Sequence, residues 1–302
     1  MTRSRPWRAI RACALGLGAC GLGLAVVSCG NTGNTGTTAA TPSPVPSLAA
    51  QVPQAIRDDG KLMIATDASY PPNEYVDPAT QQIVGWNVEL GTAVAGKLGL
   101  RPEFQNAGFD TIIPGLQSGK YEIGISSFTD NKEREKAVDF VTYYSAGTSW
   151  ASLKDNPKHV TPDNACGKTV GVQQGTVQVQ DVAVRSAACQ QAGKPAIQTV
   201  VRKQQTEVNA DLVAGKTDAM LADSPIVGYV VKQTGGKLAV IGTAYGTAPY
   251  GWAIGKNSGT LKDAVLAAVK AIIADGTYQK ILDKWGVQQG AITDPVINGA
   301  RG

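Results

Sequence analysis

Three hydroxyl side chains and one arginine lie close together in the sequence, at Ser126, Ser127, Thr129 and Arg134. Hydroxyls and a guanidinium bind small polar ligands through hydrogen bonds, and an arginine can hold a carboxylate with two parallel bonds. The alternative is that Arg134 belongs to an ordinary solvated helix face, because it lies in a run of mixed charges at 132–136.

The elements predicted around these residues favour a binding site. Tyr121–Ile125 predicts a buried strand, residues 126–130 predict a polar turn, and a helix is predicted to begin near Asn131. A strand that leads through a turn into a helix N-terminus presents hydroxyls and backbone N–H groups at one edge of a sheet. Open α/β sheets bind ligands at this edge, and a helix N-terminus favours an anion.

Strands and helices alternate along the rest of the chain, which predicts a layered α/β sheet. The first half has a strand at Lys61–Thr66, a helix with Asn87 as its N-cap, and a helix at Phe109–Gln117. The second half resumes with a strand at Lys168–Gln173 and a helix at Val177–Gln191. A length of 302 residues allows one large or two medium domains.

The first 28 residues predict a lipoprotein signal peptide. Four arginines precede an apolar run, Ala12–Val27, which is shorter than the roughly 20 residues of a comfortable membrane span. Residues 26–30 resemble a bacterial lipobox, in which Cys29 carries the lipid after cleavage. The alternative is an ordinary cleavage site at which Cys29 has no special role.

Composition beyond the signal indicates a tether and a neutral domain. Residues 29–53 are rich in Thr, Gly, Pro and Ser, without periodicity, and predict a disordered tether. The full chain has 28 basic and 24 acidic residues, and loss of the four signal arginines leaves equal numbers. The pI of 8.7 therefore reflects the signal and gives no indication of nucleic-acid binding.

Two cysteines, Cys166 and Cys189, remain after the signal and the lipid site are set aside. An even number of cysteines in an oxidising compartment predicts a disulfide. A metal site or a nucleophilic cysteine has no support, because the one histidine, His159, lies in a polar loop.

Four motifs, in this order, resemble the first lobe of extracellular solute-binding protein family 3, the polar amino-acid-binding lipoproteins of ABC importers. They are DASYPPNE from Asp67, GWNVEL from Gly85, FDTIIPGLQSGKYEIGIS from Phe109 and SSFTDNKER from Ser126. The resemblance extends over about Ile56–Gly286. It implies a two-lobed α/β periplasmic-binding-protein-like fold of type II, with two crossover hinge strands. Lobe 1 would comprise 54–145 and 248–302, and lobe 2 would comprise 146–247.

The resemblance implies which residues hold the carboxylate of an amino acid. Arg134 would bind it, assisted by the backbone N–H groups of Thr129 and Val177. The turn at Thr176 would close over it from the second lobe.

The same resemblance places Asp223 against the α-ammonium group of the ligand, with the Ser127 carbonyl and the Thr129 hydroxyl. From the residues alone, Asp223 is equally an N-cap, because Pro225 follows it in the first turn of a predicted helix. One carboxylate cannot fully serve both roles.

The remaining implied contacts concern the side chain of the ligand. Tyr70 and Phe109 would enclose it, although ordinary core packing explains two aromatic residues equally well. Asp67, Gln173 and Ser126 would face its polar end.

Three acidic residues near the cleft, Asp67, Glu74 and Asp130, suggest a cationic ligand such as arginine or lysine, but relatives with neutral ligands also carry the Asp67 carboxylate. Glutamine or another polar amino acid is therefore equally possible.

The function implied is capture of an extracellular polar amino acid by hinge closure and its delivery to a permease with a cytoplasmic ATPase. The protein is expected to be a monomer on the extracellular face of the cytoplasmic membrane, attached through its N-terminal lipid only. No cofactor, metal or nucleic acid is expected. The alternatives are a receptor-linked sensor and an exported enzyme on the same fold, of dehydratase or lyase type, with Glu74 or Asp67 as its acid or base.

Overall fold

The computed structural model describes residues 43–301. The predicted signal peptide, Cys29 and most of the predicted tether lie outside the described residues. These described residues belong to one compact unit. Within residues 43–301, no helix combines the length and the apolar character needed to cross a membrane.

The described chain alternates between strands and helices. The strands are β1 Lys61–Thr66, β2 Ser69–Tyr70, β3 Glu74–Val76, β4 Ile83–Val84, β5 Arg101–Asn106, β6 Ile123–Thr129, β7 Val138–Leu153, β8 Thr169–Gln173, β9 Gln198–Arg202, β10 Ala219–Asp223 and β11 Leu238–Gly255. The helices are α1 Pro46–Ala49, α2 Gln54–Asp59, α3 Trp86–Lys97, α4 Phe109–Gln117, α5 Lys132–Glu135, α6 Val177–Gln191, α7 Gln205–Val213, α8 Ser224–Gln233, α9 Leu261–Ala274 and α10 Thr277–Trp285, with a 3-10 turn at Gln288–Gly290.

Eight strands form one mixed sheet in the order β5-β1-β6-β11-β7-β10-β8-β9, and β2, β3 and β4 form a small second sheet. Strands β7 and β11 lie at the centre and pair antiparallel from Val138 opposite Gly255 to Leu153 opposite Leu238. On one side β1, β5 and β6 continue the sheet, and on the other β8, β9 and β10 do so. We call these halves, with their helices, the first and second lobes, and β7 and β11 run through both.

This arrangement confirms the predicted α/β fold of type II, in which two strands cross between the lobes. The crossing strands are continuous because both are rich in β-branched, aromatic and small residues, and β7 is buried along nearly its whole length. The exact bounds of the lobes within β7 and β11 remain a prediction.

The helices cover the sheet with apolar faces at helical spacing. In α9, for example, Leu261, Val265, Ala268 and Ile272 are all buried in the core of the first lobe. The apolar faces of the helices therefore pack on the sheet and exclude water from it.

The predicted turn after Ile125 is wrong, because the strand continues through it. Strand β6 runs to Thr129, and its residues 125–127 lie opposite the single residue Trp252 of β11, between the pairs Gly124–Ala253 and Phe128–Gly251. Ser127 has a φ of 52°, in the left-handed region. These features define a bulge, and a bulge redirects side chains near functional sites.

The predicted N-cap at Asn87 is also wrong. Helix α3 begins at Trp86 with Gly85 as its N-cap, and Asn87 lies inside the first turn. The Asn87 side chain is buried, where its Nδ2 donates to Glu74 Oε2 at 2.8 Å and its Oδ1 accepts from Trp252 Nε1 at 2.9 Å. The Asn87 side chain therefore bonds to residues of other elements and does not cap the helix.

The predicted tether extends too far toward the C-terminus. Residues 43–53 pack on the first lobe, where Val52 is 2% exposed and the Val45 N–H donates to the Lys97 carbonyl at 3.0 Å. Leu48 and Val52 supply the apolar contacts that a freely moving linker lacks.

Candidate functional site

A small cavity lies between the two lobes. Every residue that was predicted to contact the ligand lines it, together with Gln178, which was not predicted. The lining residues are Asp67, Tyr70, Phe109, Ser126, Ser127, Thr129, Arg134, Gln173, Thr176, Val177, Gln178 and Asp223. Their contact with a ligand stays a prediction.

The topology explains why residues so distant in sequence meet here. Asp67 directly follows β1, Gln173 is the last residue of β8, and Asp223 is the last residue of β10. Strands β1 and β6 are parallel, as are β8 and β10. The carboxyl ends of these strands therefore face the same cleft, which is where open α/β sheets bind ligands.

Arg134 points into the cavity, and this excludes the solvated-face alternative for its side chain. Its Nη1 donates to the Thr129 carbonyl at 2.8 Å, and its Nη2 donates to the Gly175 carbonyl of the second lobe at 3.0 Å. The guanidinium carbon lies 5.4 Å from the ring centroids of both Phe109 and Phe128. Burial lowers the pKa of Arg134 to about 10, so the side chain remains cationic at neutral pH.

The backbone of Arg134 is also held locally. Asn131 caps the short helix α5, because its Oδ1 accepts a hydrogen bond from the Arg134 N–H at 2.8 Å. The predicted helix start near Asn131 is thus confirmed. The two side-chain bonds use two of the five N–H donors of a guanidinium, which leaves donors for a ligand.

Asp223 does not serve as a side-chain cap, although it occupies the N-cap position of α8. Its Oδ1 accepts from Gln178 Nε2 at 2.7 Å, and its Oδ2 accepts from the Tyr250 hydroxyl at 2.6 Å. Its backbone N–H donates to the Tyr70 hydroxyl at 3.2 Å. The side chain is buried, and burial raises the pKa of its carboxyl group.

Gln178 holds Asp223 from the side of the second lobe, and its amide also donates to Thr148 Oγ1 at 3.1 Å. It is the second residue of α6, one position after Val177. The only feature of the sequence that indicates a role for Gln178 is its position in the first turn of α6, after the Gly175–Thr176 turn. The donors of a first helical turn face the N-terminal end of the helix.

Asp67 also lines the cavity and is 3% exposed. Its Oδ2 accepts from the Phe109 N–H at 3.0 Å and from Gln173 Nε2 at 2.9 Å, while its own N–H donates to Ser126 Oγ at 2.9 Å. Burial raises the pKa of Asp67. Because Gln173 belongs to the second lobe, this carboxylate also links the two lobes.

The aromatic residues of the cavity serve two roles. Tyr70 packs in a second-lobe core cluster, and Phe109 stacks on Phe128 in the first lobe with ring centroids 4.5 Å apart. Both rings also line the cavity. Core packing and ligand contact are therefore compatible for these two residues.

Thr176 and Val177 form the start of α6 at the edge of the cavity. Thr176 is the N-cap residue, and its hydroxyl donates to the Gln173 carbonyl at 2.7 Å instead of capping the helix. Val177 is the first helical residue, so its N–H belongs to the turn whose donors have no partner within the helix.

Glu74 lies behind the cavity and does not line it. Its Oε2 accepts from Asn87 Nδ2 and, at 3.1 Å, from the Ser127 hydroxyl, which in turn accepts from Asn73 Nδ2 at 2.8 Å. The Glu74 side chain is fully buried, and burial raises its pKa well above the ordinary value. Glu74 therefore supports the bulge at Ser127.

Within the described residues, the charged groups that line the cavity form no ion pair, although Arg134 and Asp223 lie near enough to favour each other's charged form. Among residues 43–301, no ion pair involves Arg134, Asp67 or Asp223. The cavity thus presents one cationic and two anionic side chains to whatever occupies it. A buried charge without a partner is costly, so a ligand with matching charges is strongly favoured.

Two other predictions can be placed in the described structure. The disulfide is confirmed, because Cys166 and Cys189 are bonded in the second lobe with their Cα atoms 5.6 Å apart. His159 is exposed in a loop. In residues 43–301, no cluster of three or more His, Cys, Asp or Glu side chains has the arrangement of a metal site.

The sequence matches the profile of the bacterial extracellular solute-binding proteins, family 3, over residues 62–288, and the chain belongs to this family. It is 37% identical over 258 residues to the arginine-binding protein ArgT of Corynebacterium glutamicum, covering 85% of this chain and 84% of that protein.

Solved structures give the same assignment. An ancestral arginine-binding protein bound to arginine has a TM-score of 0.69 and 34% identity, covering 75% of this chain and 98% of that one. The corresponding complex with glutamine has a TM-score of 0.69 and 33% identity, covering 76% and 98%. The ancestral amino acid-binding protein AncCDT-1, a precursor of cyclohexadienyl dehydratase, has a TM-score of 0.69 and 31% identity, covering 76% and 97%.

Proposed function

We propose that this protein is the substrate-binding component of an ABC importer and that its ligand is a basic amino acid, with arginine as the first candidate. One observation carries the choice of ligand: the cavity presents one cation, Arg134, and two carboxylates, Asp67 and Asp223, without ion-pair partners among residues 43–301. Arginine carries one carboxylate and two cationic groups, the exact complement in charge.

The amino-acid backbone of the ligand is held by charge pairing at both ends. Arg134 binds the α-carboxylate, with the N–H groups of Thr129 and Val177. Asp223 binds the α-ammonium, with the Ser127 carbonyl and the Thr129 hydroxyl. A zwitterion that leaves water needs both charges paired, because an isolated buried ion costs several kcal/mol.

The side chain of the ligand extends toward Asp67, Gln173 and Ser126, between Tyr70 and Phe109. The Asp67 carboxylate is the natural partner of a guanidinium, since the pair forms charge-assisted hydrogen bonds. Glutamine is the alternative, because the Gln173 amide and the Ser126 hydroxyl can bind a neutral amide. The ancestral protein solved with either arginine or glutamine supports keeping both in the test.

Ligand contacts from both lobes favour the closed arrangement. Hydrogen bonds already join the lobes around the cavity, among them those between Gln173 and Asp67, between Arg134 and Gly175, and between Asp223 and Tyr70. The closed form is the state that the permease, driven by its cytoplasmic ATPase, recognises in this proposal.

Lipid attachment at Cys29 would hold the protein at the extracellular face of the cytoplasmic membrane. The basis is the lipobox-like sequence at residues 26–30, since Cys29 lies outside the described residues. Cells expressing the wild type should incorporate a palmitate analogue into the protein. Cys29→Ser should lose this label and appear in the medium, and retention of the label would exclude Cys29 as the attachment site.

Catalysis on the same fold is the second function to test, because AncCDT-1 is a precursor of a dehydratase. An enzyme needs an acid or base that can reach its substrate. Glu74 is bonded to Asn87 and Ser127 behind the cavity, and Asp67 already accepts from Phe109 and Gln173. Binding without turnover therefore fits better, and mass spectrometry should recover the amino acid unchanged after prolonged incubation.

The sensor alternative differs only in the partner. Cells that lack this protein should take up labelled arginine more slowly if it serves an importer. Unchanged uptake, together with intact arginine binding by the purified protein, would favour a signalling role.

Isothermal titration of residues 30–302, which contain the whole compact unit, tests the ligand. Arginine should bind more tightly than lysine, glutamine or glutamate. Arg134→Ala should abolish measurable binding of each. Asp67→Asn should weaken the binding of arginine by about 2–5 kcal/mol, because this variant leaves the buried guanidinium of the ligand unpaired. The same variant should change glutamine affinity less than about threefold.

The control for this series is Asp58→Asn, which removes an exposed carboxylate of α2 outside the cavity and should leave every affinity unchanged. An equal loss of arginine and glutamine binding in Asp67→Asn would contradict the assigned role of Asp67. Absence of binding to any amino acid would overturn the proposed function.

A further inference from the structure

The C-terminal segment 291–301, which we call the strap, lies beyond the family match at 62–288. It runs along β7 on the edge away from β11, with a bridge between Val141 and Ile297. The Thr142 N–H donates to the Val296 carbonyl at 2.9 Å, and the Asn298 N–H donates to the Phe140 carbonyl at 2.9 Å. The strap therefore covers part of the β7 edge in the first lobe.

Asn298 attaches the strap to β7 and changes the direction of the chain. Its Oδ1 accepts from the Phe140 N–H at 2.8 Å, its Nδ2 donates to Asp139 Oδ1 at 3.0 Å, and its φ is 56°. This left-handed residue changes the direction of the chain, so that the next two backbone N–H groups leave β7 and face another element.

Those two N–H groups bind the carboxylates on either side of the Arg134 turn. Gly299 N donates to Asp130 Oδ2 at 2.7 Å, and Ala300 N donates to Glu135 Oε1 at 3.2 Å. Asp130 immediately follows Thr129 of the cavity wall, and Glu135 immediately follows Arg134. The strap thus forms hydrogen bonds at both ends of the segment that carries Arg134, the cationic residue of the cavity.

The Arg134 helix needs such support because α5 has only four residues. A single turn forms too few hydrogen bonds to be stable by itself. Its other anchors include the Asn131 cap, the two side-chain hydrogen bonds of Arg134 described above, and the bond from the Asp130 N–H to the Pro249 carbonyl at 2.9 Å. Hydrogen bonds to carboxylates are stronger than neutral ones, so the two strap bonds are a substantial part of what holds α5.

Gly299 makes the close approach possible. A Cβ at this position would lie 2.8 Å from Thr142 Cγ2 and 3.0 Å from Val296 Cγ2, closer than carbon atoms pack. A larger residue would push the strap away from Asp130. The contact with Asp130 therefore favours a glycine at position 299.

We propose that the strap is a positioning element for ligand binding: it holds α5 through Asp130 and Glu135, and so fixes the Arg134 guanidinium for the α-carboxylate of the ligand. This inference rests on the proposed function. The strap does not touch the ligand, and Arg134 remains the binding residue.

Two truncated chains test the proposal by titration with L-arginine. A chain that ends at Asn298 loses both donors but keeps the pairing with β7, whereas a control chain that ends at Ala300 keeps both donors. The first should bind arginine about tenfold more weakly, the size of an ordinary coupling between sites. The control should bind as the wild type does.

A role through Arg134 is separated from general destabilisation by Arg134→Lys, which keeps a cation but loses the planar fork. In that background, the truncation at Asn298 should cost less than about twofold, because the geometry being protected is already lost. An equal tenfold loss in both backgrounds would show that the strap acts in some other way and would overturn the proposal.

Asp130 provides a second route if the shortened chain does not fold. Asp130→Ala removes the acceptor for Gly299 in the complete chain and should also weaken arginine binding about tenfold. Asp130→Asn retains an acceptor oxygen and should restore most of the affinity. Wild-type affinity in Asp130→Ala contradicts the proposal, whereas a wild-type chain that binds no amino acid overturns the proposed function itself.

Discussion

Asp130 is a buried carboxylate with a second carboxylate, Glu135, as its neighbour. The Asp130 side chain is 2% exposed, its Oδ2 accepts from Gly299, and its Oδ1 has no partner among residues 43–301. Burial raises the pKa of Asp130 to about 6, and repulsion from Glu135 adds to this rise, whereas the hydrogen bond from Gly299 and, less strongly, Lys132 act in the opposite direction. At the residue scale, Asp130 is therefore a carboxylate whose charge changes near pH 6.

The raised pKa predicts the sign of a pH effect on stability. An unfolded Asp has a pKa of about 3.9, so between about pH 4 and pH 6 the folded protein binds more protons at Asp130 than the unfolded chain does. The contribution of Asp130 to the free energy of unfolding is therefore largest at low pH and is lost as the pH rises through about 6. Asp130→Asn should remove this part of the slope.

Urea unfolding at several pH values between 4.5 and 7 measures the difference between wild type and variant. Glu133→Gln, on the exposed side of α5, is the matched control and should keep the wild-type slope. A wild-type slope in Asp130→Asn would mean that Asp130 does not titrate in this window.

At the scale of elements, the bulge in β6 is the feature that gives the cavity its hydroxyls. Ser126 and Ser127 are buried, and the left-handed Ser127 is bonded to Glu74 and Asn73 from behind. A non-glycine residue in this backbone conformation needs compensating contacts. The buried network formed by Asn73, Glu74, Asn87 and Ser127 supplies them.

Replacement of Glu74 should show this support. Glu74→Ala removes the acceptor shared by Asn87 and Ser127 and leaves a cavity, so the free energy of unfolding should fall by about 2–4 kcal/mol. Glu74→Gln keeps the size and an acceptor oxygen and should cost much less. Chemical denaturation compares the two variants, and titration with arginine should show that Glu74→Gln still binds. Complete loss of binding in a stably folded Glu74→Gln would assign Glu74 a direct role.

The errors made from the sequence have physical causes at this same scale. A bulge rich in serine has the composition of a turn, so β6 was predicted to end too early. Asn87 resembles an N-cap until Glu74 and Trp252 are known to lie beside it. The strap has no apolar periodicity, so nothing local indicates that it pairs with β7.

The whole molecule was more predictable than these details. The alternation of strands and helices predicted a layered α/β sheet, and the resemblance to family 3 implied its two lobes. The same resemblance implied which residues meet at one cleft, and the structure brings them to one cavity. Gln178 was missed because an amide in a first helical turn has no distinctive pattern. Its position matters only once β10 has brought Asp223 within 2.7 Å of it.

The position of β11 in the sheet has a consequence for how the chain assembles after export. Strand β11 lies between β6 and β7, so the β5-β1-β6 group cannot join β7 until residues near the end of the chain are present. The strands β8, β9 and β10 of the second lobe, in contrast, are all complete by Asp223 and can join β7 before β11 is present. During N-to-C delivery across a membrane, the first lobe therefore begins to form first but is completed last. The apolar edges of its strands stay unpaired until the final fifth of the chain is present.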